Sequence, residues 1–177
     1  MVDVSDKATT VRSATATASV LMAFETAKTI QNAKLSKGDV LGISRIAAIQ
    51  AVKSTSQLIP LCHAIPIEAV AVSFQWPKIL TCGERNPEAD NSGKLAEMSG
   101  ENDETAPRVE LRCEVEVRTT AKTGVEMEAM TGASVAGLTI YDMIKSIDRG
   151  AEVSRVRLLQ KSGGKSGDFV AQNPDQG

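Results

Sequence analysis

The stretch KTGVEMEAMTGASVAGLTIYDMIK, residues 122–145, combines helix formers, small residues and ionisable groups as no other part of the chain does. It reads as one long helix entered from the turn Lys122-Thr123-Gly124. Glu126 and Glu128 put carboxylates in the first turns, where the helix macrodipole favours negative charge, and Lys145 closes the far end with the matching sign. Ala129, Gly132, Ala133, Ser134, Ala136 and Gly137 leave the helix little bulk, so another backbone can approach it closely while propensity is given up at the glycines. Such a helix is expected to be buried on several sides, in part against another copy of the chain. Asp142 and Lys145, three residues apart, share a face with Leu138 one turn earlier. By spacing alone they are an ordinary surface ion pair.

Outward from this helix the hydrophobic period changes from 3.6 to 2. Before it, Val109, Leu111, Cys113, Val115 and Val117 alternate with Glu110, Arg112, Glu114, Glu116 and Arg118, a strand whose charged row is expected to be solvated and laced with cross-strand ion pairs. Residues 12–22 alternate likewise, opened by Arg12, with Ala14, Ala16, Ala18, Val20 and Met22 on one side. Residues 68–76 give a third strand that Pro77 is expected to end, with residues 79–82 starting another. A short helix over 23–32 and a second over 40–57 are expected, with the turn Lys37-Gly38-Asp39 between them and Pro60 as the stop. The second helix is expected to bury Val40, Ile43, Ile46, Ala47 and Ile49. Lys37, by spacing, is a solvated loop lysine.

Residues 58–67, LIPLCHAIPI, bracket the chain's one histidine, His63, between two prolines. A lone histidine in apolar surroundings is more often a hydrogen-bonded core residue than a catalyst. Cys62 points the other way in an extended chain, which argues against a Cys62–His63 nucleophile pair. After the long helix, residues 153–159 form the last strand. The following KSGGKSGDF, residues 161–169, brings Lys161, Lys165 and three glycines close enough to converge on a phosphate. It is not a Walker A loop, because Leu159 stands where that motif needs glycine. A flexible glycine-serine tail is the alternative.

The order strand, helices, two strands, long helix, strand implies a two-layer α+β domain, a mainly antiparallel sheet with helices on one face. A chain of 177 residues suits one catalytic domain spanning 1–177, with a polar acidic insert at 83–107 and a short flexible tail after 169. The insert carries a net charge of −5 in a chain whose total is −2, so the rest is slightly basic at +3 and suited to a small anionic ligand. Aromatic residues make up 3%, too few for a nucleic-acid stacking platform. No apolar run is long enough to span a membrane, and MVDVSDKATT lacks a signal-peptide core. Three cysteines without CxxC spacing indicate a reducing compartment, hence the cytoplasm, and with one histidine they argue against a metal site.

LIPLCH at 58–63, KTGVEMEA at 122–129, LTIYDMIK at 138–145 and RLLQKSGGKSGDF at 157–169 occur in one order with VDVSDKATTVR at the start and KGDV at 37–40. In that combination the chain resembles the MoaC family, the cyclic pyranopterin monophosphate synthases of molybdenum cofactor biosynthesis, over all but residues 83–107. Members usually have proline at the position of Ala64 and a short turn in place of the insert.

The resemblance implies a ferredoxin-like fold and a lyase that turns 3′,8-cyclo-7,8-dihydroguanosine 5′-triphosphate into cyclic pyranopterin monophosphate and pyrophosphate. It implies substrate contacts at Leu61, Cys62, His63, Met127 and Glu128, and a catalytic Asp142. The chemistry adds Lys145 and Lys37 as catalytic partners, with His63 as a further proton-transfer group. Arg12, Lys122, Glu126, Lys161 and Lys165 are expected to bind substrate, the cations taking the phosphates. The resemblance further implies a hexamer built from dimers, substrate from an upstream radical SAM GTP cyclase, and no tightly bound cofactor, while allowing Mg²⁺ with the triphosphate. Two rivals stay open: a non-catalytic nucleotide-binding module using the Lys161–Lys165 loop, and an unrelated zinc-dependent GTP-ring-opening hydrolase.

Overall fold

The computed structural model of the chain describes residues 1–80 (side chains to 76), 107–165 and 167–172. The expected insert, apart from Pro107, and the end of the tail lie outside these residues.

Among the described residues the sheet has five strands in the order β2-β3-β1-β4-β5: β1 Thr10–Ala23, β2 Ala69–Leu80, β3 Arg108–Ala121, β4 Glu152–Ser162 and β5 Phe169–Val170. Every neighbouring pair is antiparallel. The helices are α1 Phe24–Gln31, α2 Val40–Lys53, the single turn α3 Thr55–Leu58, and α4 Glu126–Ile144. The first four strands, crossed by α2 and α4, follow the ferredoxin-like order. β1 lies at the centre, and all residues from Ala14 to Val20 are buried, the hydroxyl row of Thr15, Thr17 and Ser19 included.

The strict alternation of β3 places Val109, Leu111, Cys113, Val115, Val117, Thr119 and Ala121 under the helices. The same face of β1 offers Ala14, Ala16 and Ala18 to Val125, Ala129, Ala133 and Ala136, so small residue meets small residue and α4 lies close to the sheet. Its glycines serve the same packing. A Cβ on Gly132 would come within 2.7 Å of Val52 and 3.3 Å of the Ala48 carbonyl oxygen, and one on Gly137 within 3.2 Å of Val153. The small-residue stripe is therefore filled by α2 and the sheet of the same chain, not by a second copy.

Three other expectations change. The long second helix breaks at Ser54 into α2 and α3. Its buried side is Val40, Ser44, Ala48, Ala51 and Val52, whereas Ile43 and Ile46 are exposed, Ile46 at 70%. The reason is the close approach to α4, which needs small residues at the contact and turns the bulky isoleucines outward. β2 does not end at Pro77 but runs on to Leu80. The register steps from Gln75↔Arg112 to Lys78↔Glu110, so Trp76 and Pro77 together oppose one residue, and a bulge absorbs the missing N–H. On the outer face of β3 Glu110 and Arg112 pair along one strand at 3.2 Å, and Arg108 reaches Glu152 of β4 at 3.9 Å, so the charged row carries a pair within a strand as well as one between strands.

Candidate functional site

Lys37 lies just before α2, whose first turn is capped by the Asp39 carboxylate accepting from Gly42 N–H at 2.9 Å. α2 and α4 run antiparallel, because Val52 near the end of α2 packs on Gly132 in the first half of α4 while Lys37 reaches the last turn of α4. There the Lys37 ammonium donates to the Asp142 carbonyl oxygen at 2.6 Å and pairs with Oδ2 at 3.2 Å. Lys145 holds Oδ1 of the same carboxylate at 2.6 Å. Two hydrogen bonds, the Lys145 one first and the Lys37 one second, hold the Asp142 carboxyl below its ordinary 3.8. The same contact raises the Lys145 ammonium. At neutral pH the cluster is one carboxylate shared by two cations, open to solvent on its outer side. Lys37 is thus no free loop lysine, and the Asp142–Lys145 pair has a third member.

At the other end of α4 two groups meet. Leu61, Cys62 and His63 lie in the link from α3 to β2, where Thr119 Oγ1 donates to the Pro66 carbonyl oxygen. His63 is half-buried, with no hydrogen-bond partner among the described residues. Leu61 is exposed and Met127 partly so. Glu128, in the first turn of α4, is only 4% exposed, and burial pushes its carboxyl above 4.5. Burial also raises the Cys62 thiol, with the charge of Glu128 adding to it, which opposes a thiolate nucleophile.

Beside them opens a cavity of about 930 Å³ lined by Arg12, Lys122, Glu126, Lys161 and Lys165 together with Asp3, Ser5, Asp6 and Lys7. Strand alternation brings Arg12 there, in the row of Ala14 to Met22 and so on the helix-covered face, just beyond the start of α4. Lys161 is registered opposite Ala14 and pairs with Glu126 at 3.2 Å. The Glu126 carboxylate folds back over Gly124, where a Cβ would collide with it. The glycine-rich segment is no loose tail. It turns through Gly163 and Gly164, Gly163 N–H donates to Asp168 at 3.2 Å, and β5 returns along β4. The N-terminal residues were given no role by the sequence, yet Lys122 donates to the Ser5 carbonyl oxygen at 2.7 Å and fixes them as a wall. Their presence in the opening VDVSDK motif was the available signal.

The expected site residues thus fall into two sets. Leu61, Cys62, His63, Met127, Glu128 and the cavity cations share one end of α4. Lys37, Asp142 and Lys145 share the other, 14 residues or about 21 Å along an unbroken helix. Among the described residues no three His, Cys, Asp or Glu side chains converge as a metal-ligand set, and no helix is long and apolar enough to cross a membrane.

A model of the MoaC family matches residues 1–164. The chain belongs to the MoaC family. It is 46% identical over 176 residues to the cyclic pyranopterin monophosphate synthase of Rhodopirellula baltica, covering 99% of this chain and 90% of that protein. It is similar to proteins of the same name from Dinoroseobacter shibae (44% over 172 residues, 97% and 91%) and Bacillus subtilis (41% over 169 residues, 96% and 84%). In the MoaC frame the KGDV and LTIYDMIK motifs, far apart in sequence, converge on one carboxylate.

Glu128 tests the electrostatics at the buried end. A carboxyl raised in the folded state costs stability once it ionises; the cost is absent below the unfolded value near 4.5 and complete above the raised folded value. Glu128→Gln is therefore expected to raise the melting temperature at pH 7, with the gain fading as the pH falls through the raised folded value toward 4.5 and absent below it. A lower melting temperature at pH 7 would mean that the carboxylate is compensated in the fold.

Proposed function

We propose that the chain is a cyclic pyranopterin monophosphate synthase, releasing pyrophosphate from 3′,8-cyclo-7,8-dihydroguanosine 5′-triphosphate. The observation that carries this reading is the Lys37–Asp142–Lys145 cluster, a base and two cations drawn from separate motifs. Rearranging the purine-derived ring into a pterin needs water addition and repeated proton transfer, and closing a cyclic phosphate needs positive charge around the attacking and leaving oxygens. Asp142 serves as the base, Lys145 as the acid and Lys37 as the phosphate-side cation. In the resting cluster the two ammonium groups make Asp142 a weak base. A triphosphate competes for both of them, and each one drawn away restores basicity, so substrate binding itself prepares the base. His63, half-buried and unpartnered among the described residues, supplies a further proton-transfer group.

Arg12, Lys122, Lys161 and Lys165 take the phosphates in the cavity, and Leu61, Cys62, Met127, Glu128 and Glu126 contact the remainder of the substrate. Because the two sets lie at opposite ends of α4, a site containing both is completed by a second chain, in a dimer-based hexamer. Substrate comes from an upstream radical SAM GTP cyclase in the cytoplasm. No tightly bound cofactor takes part, and Mg²⁺ travels with the triphosphate.

Incubation with the product of that upstream enzyme, followed by oxidation and fluorescence detection, should reveal the pterin. Substrate binding without pterin would leave a non-catalytic nucleotide module. Lys161→Ala with Lys165→Ala should weaken substrate affinity about tenfold at low salt, and less as ionic strength rises, without changing the product. Equal affinity of wild type and double variant at low salt would remove the loop from the site.

A further inference from the structure

Gly163 and Gly164 have φ of 89° and 86°, in the left-handed region that favours glycine. What a side chain would strike differs between them. A Cβ on Gly163 would run into the Val11 carbonyl oxygen, part of the β1 backbone. A Cβ on Gly164 would fall on Arg12 Nη1, 2.6 Å from Cζ, so the guanidinium occupies the space where that side chain would be.

Arg12 is 8% exposed. Among the described residues its one hydrogen-bond partner is the Lys122 carbonyl oxygen, 3.4 Å from Nη2, and its Nε is buried without a partner. No carboxylate pairs with it among the described residues. A cation so deeply placed, with a donor unmet, is incomplete until an anion arrives. It faces the cavity shared with Lys122, Lys161 and Lys165.

We propose that Gly164 is a positioning residue for the phosphate-binding guanidinium of Arg12. Its missing side chain is the slot that fixes the planar fork toward the cavity, where phosphate oxygens complete its hydrogen bonds. This rests on the triphosphate reading of the cavity.

Calorimetric titration with inorganic tripolyphosphate tests it on wild type, Arg12→Ala, Gly164→Ala and the double variant, each with a thermal melt. Wild type is expected to bind, and each single change to weaken binding about tenfold or more. The double variant is expected to bind no worse than Arg12→Ala, because without the guanidinium the Cβ has room. Backbone strain from the positive φ is common to both backgrounds and cancels in the cycle. Additive losses, or Gly164→Ala binding like wild type, would overturn the positioning role while leaving the phosphate reading intact. A wild type with no tripolyphosphate affinity would overturn both. If Gly164→Ala is too unstable to titrate, the double variant decides: a recovered melting temperature supports the contact, and an equally low one overturns it.

Discussion

Asp142→Asn should leave the fold and assembly unchanged and remove most turnover, roughly 10²- to 10⁴-fold in kcat, the range of a lost general acid-base group. The amide keeps the shape and deletes the charge on which Lys37 and Lys145 converge. Little stability is at stake, since the Asp142 side chain is 57% exposed and exposed ion pairs are heavily screened. The pH dependence follows from the two shifts. What the pair contributes is present above the ordinary carboxylate value of 3.8 and is lost as pH falls through the depressed value of Asp142. On the alkaline side it is present below 10.5 and is lost as pH rises through the raised value of Lys145. An acid limb in kcat/KM above about pH 5 would therefore belong to a group other than free-enzyme Asp142. A near-normal rate for Asp142→Asn would reduce the cluster to a surface ion pair.

Mixing subunits bearing Glu128→Gln with subunits bearing Asp142→Asn should restore about a quarter of wild-type sites after random exchange. α4 is continuous from Glu126 to Ile144, so Glu128 cannot fold back toward Asp142 within its own chain. In a shared site, one site in four pairs the intact Glu128 of one parent with the intact Asp142 of the other. In a single-chain site every pocket keeps one lesion. If both parents are inactive, mass measurements prove exchange and no activity returns, the shared site is wrong.

The sheet and α4 were legible because their burial is periodic: every second residue of β3 and the small residues of α4 face the core. The phase of α2 was not, because its contact with α4 selects Ser44, Ala48 and Ala51 over larger neighbours, and hydrophobicity alone points to Ile43 and Ile46. Ser44, Ala48 and Ala51, at helical spacing, were the clue. Asp142 with Lys145 could be read from local spacing, whereas Lys37 reaches them across 105 residues and needed either the fold or the family resemblance. The pairing of Arg12 with Gly164 was hidden for the same reason: it arises only when β1 and β4 lie side by side. Motif resemblance named the residues of both ends of α4, and the 14-residue spacing from Glu128 to Asp142 on one helix already implied about 21 Å between them; the fold adds which other side chains gather at each end.

The central position of β1 also governs how the chain can fold as it is made. Its partners arrive late: Ser13 bonds Ser162 across 149 positions, and Thr10 is registered opposite Ala121. Until β3 and β4 are synthesised, the first strand has backbone donors and acceptors unpaired along both edges, and none of its final pairings is local. Contacts of such separation slow the search for the native state, and open strand edges recruit other chains. Truncation before β4 should therefore yield aggregates in place of a partly folded domain. During synthesis, collapse onto the native sheet has to wait for nearly the whole polypeptide.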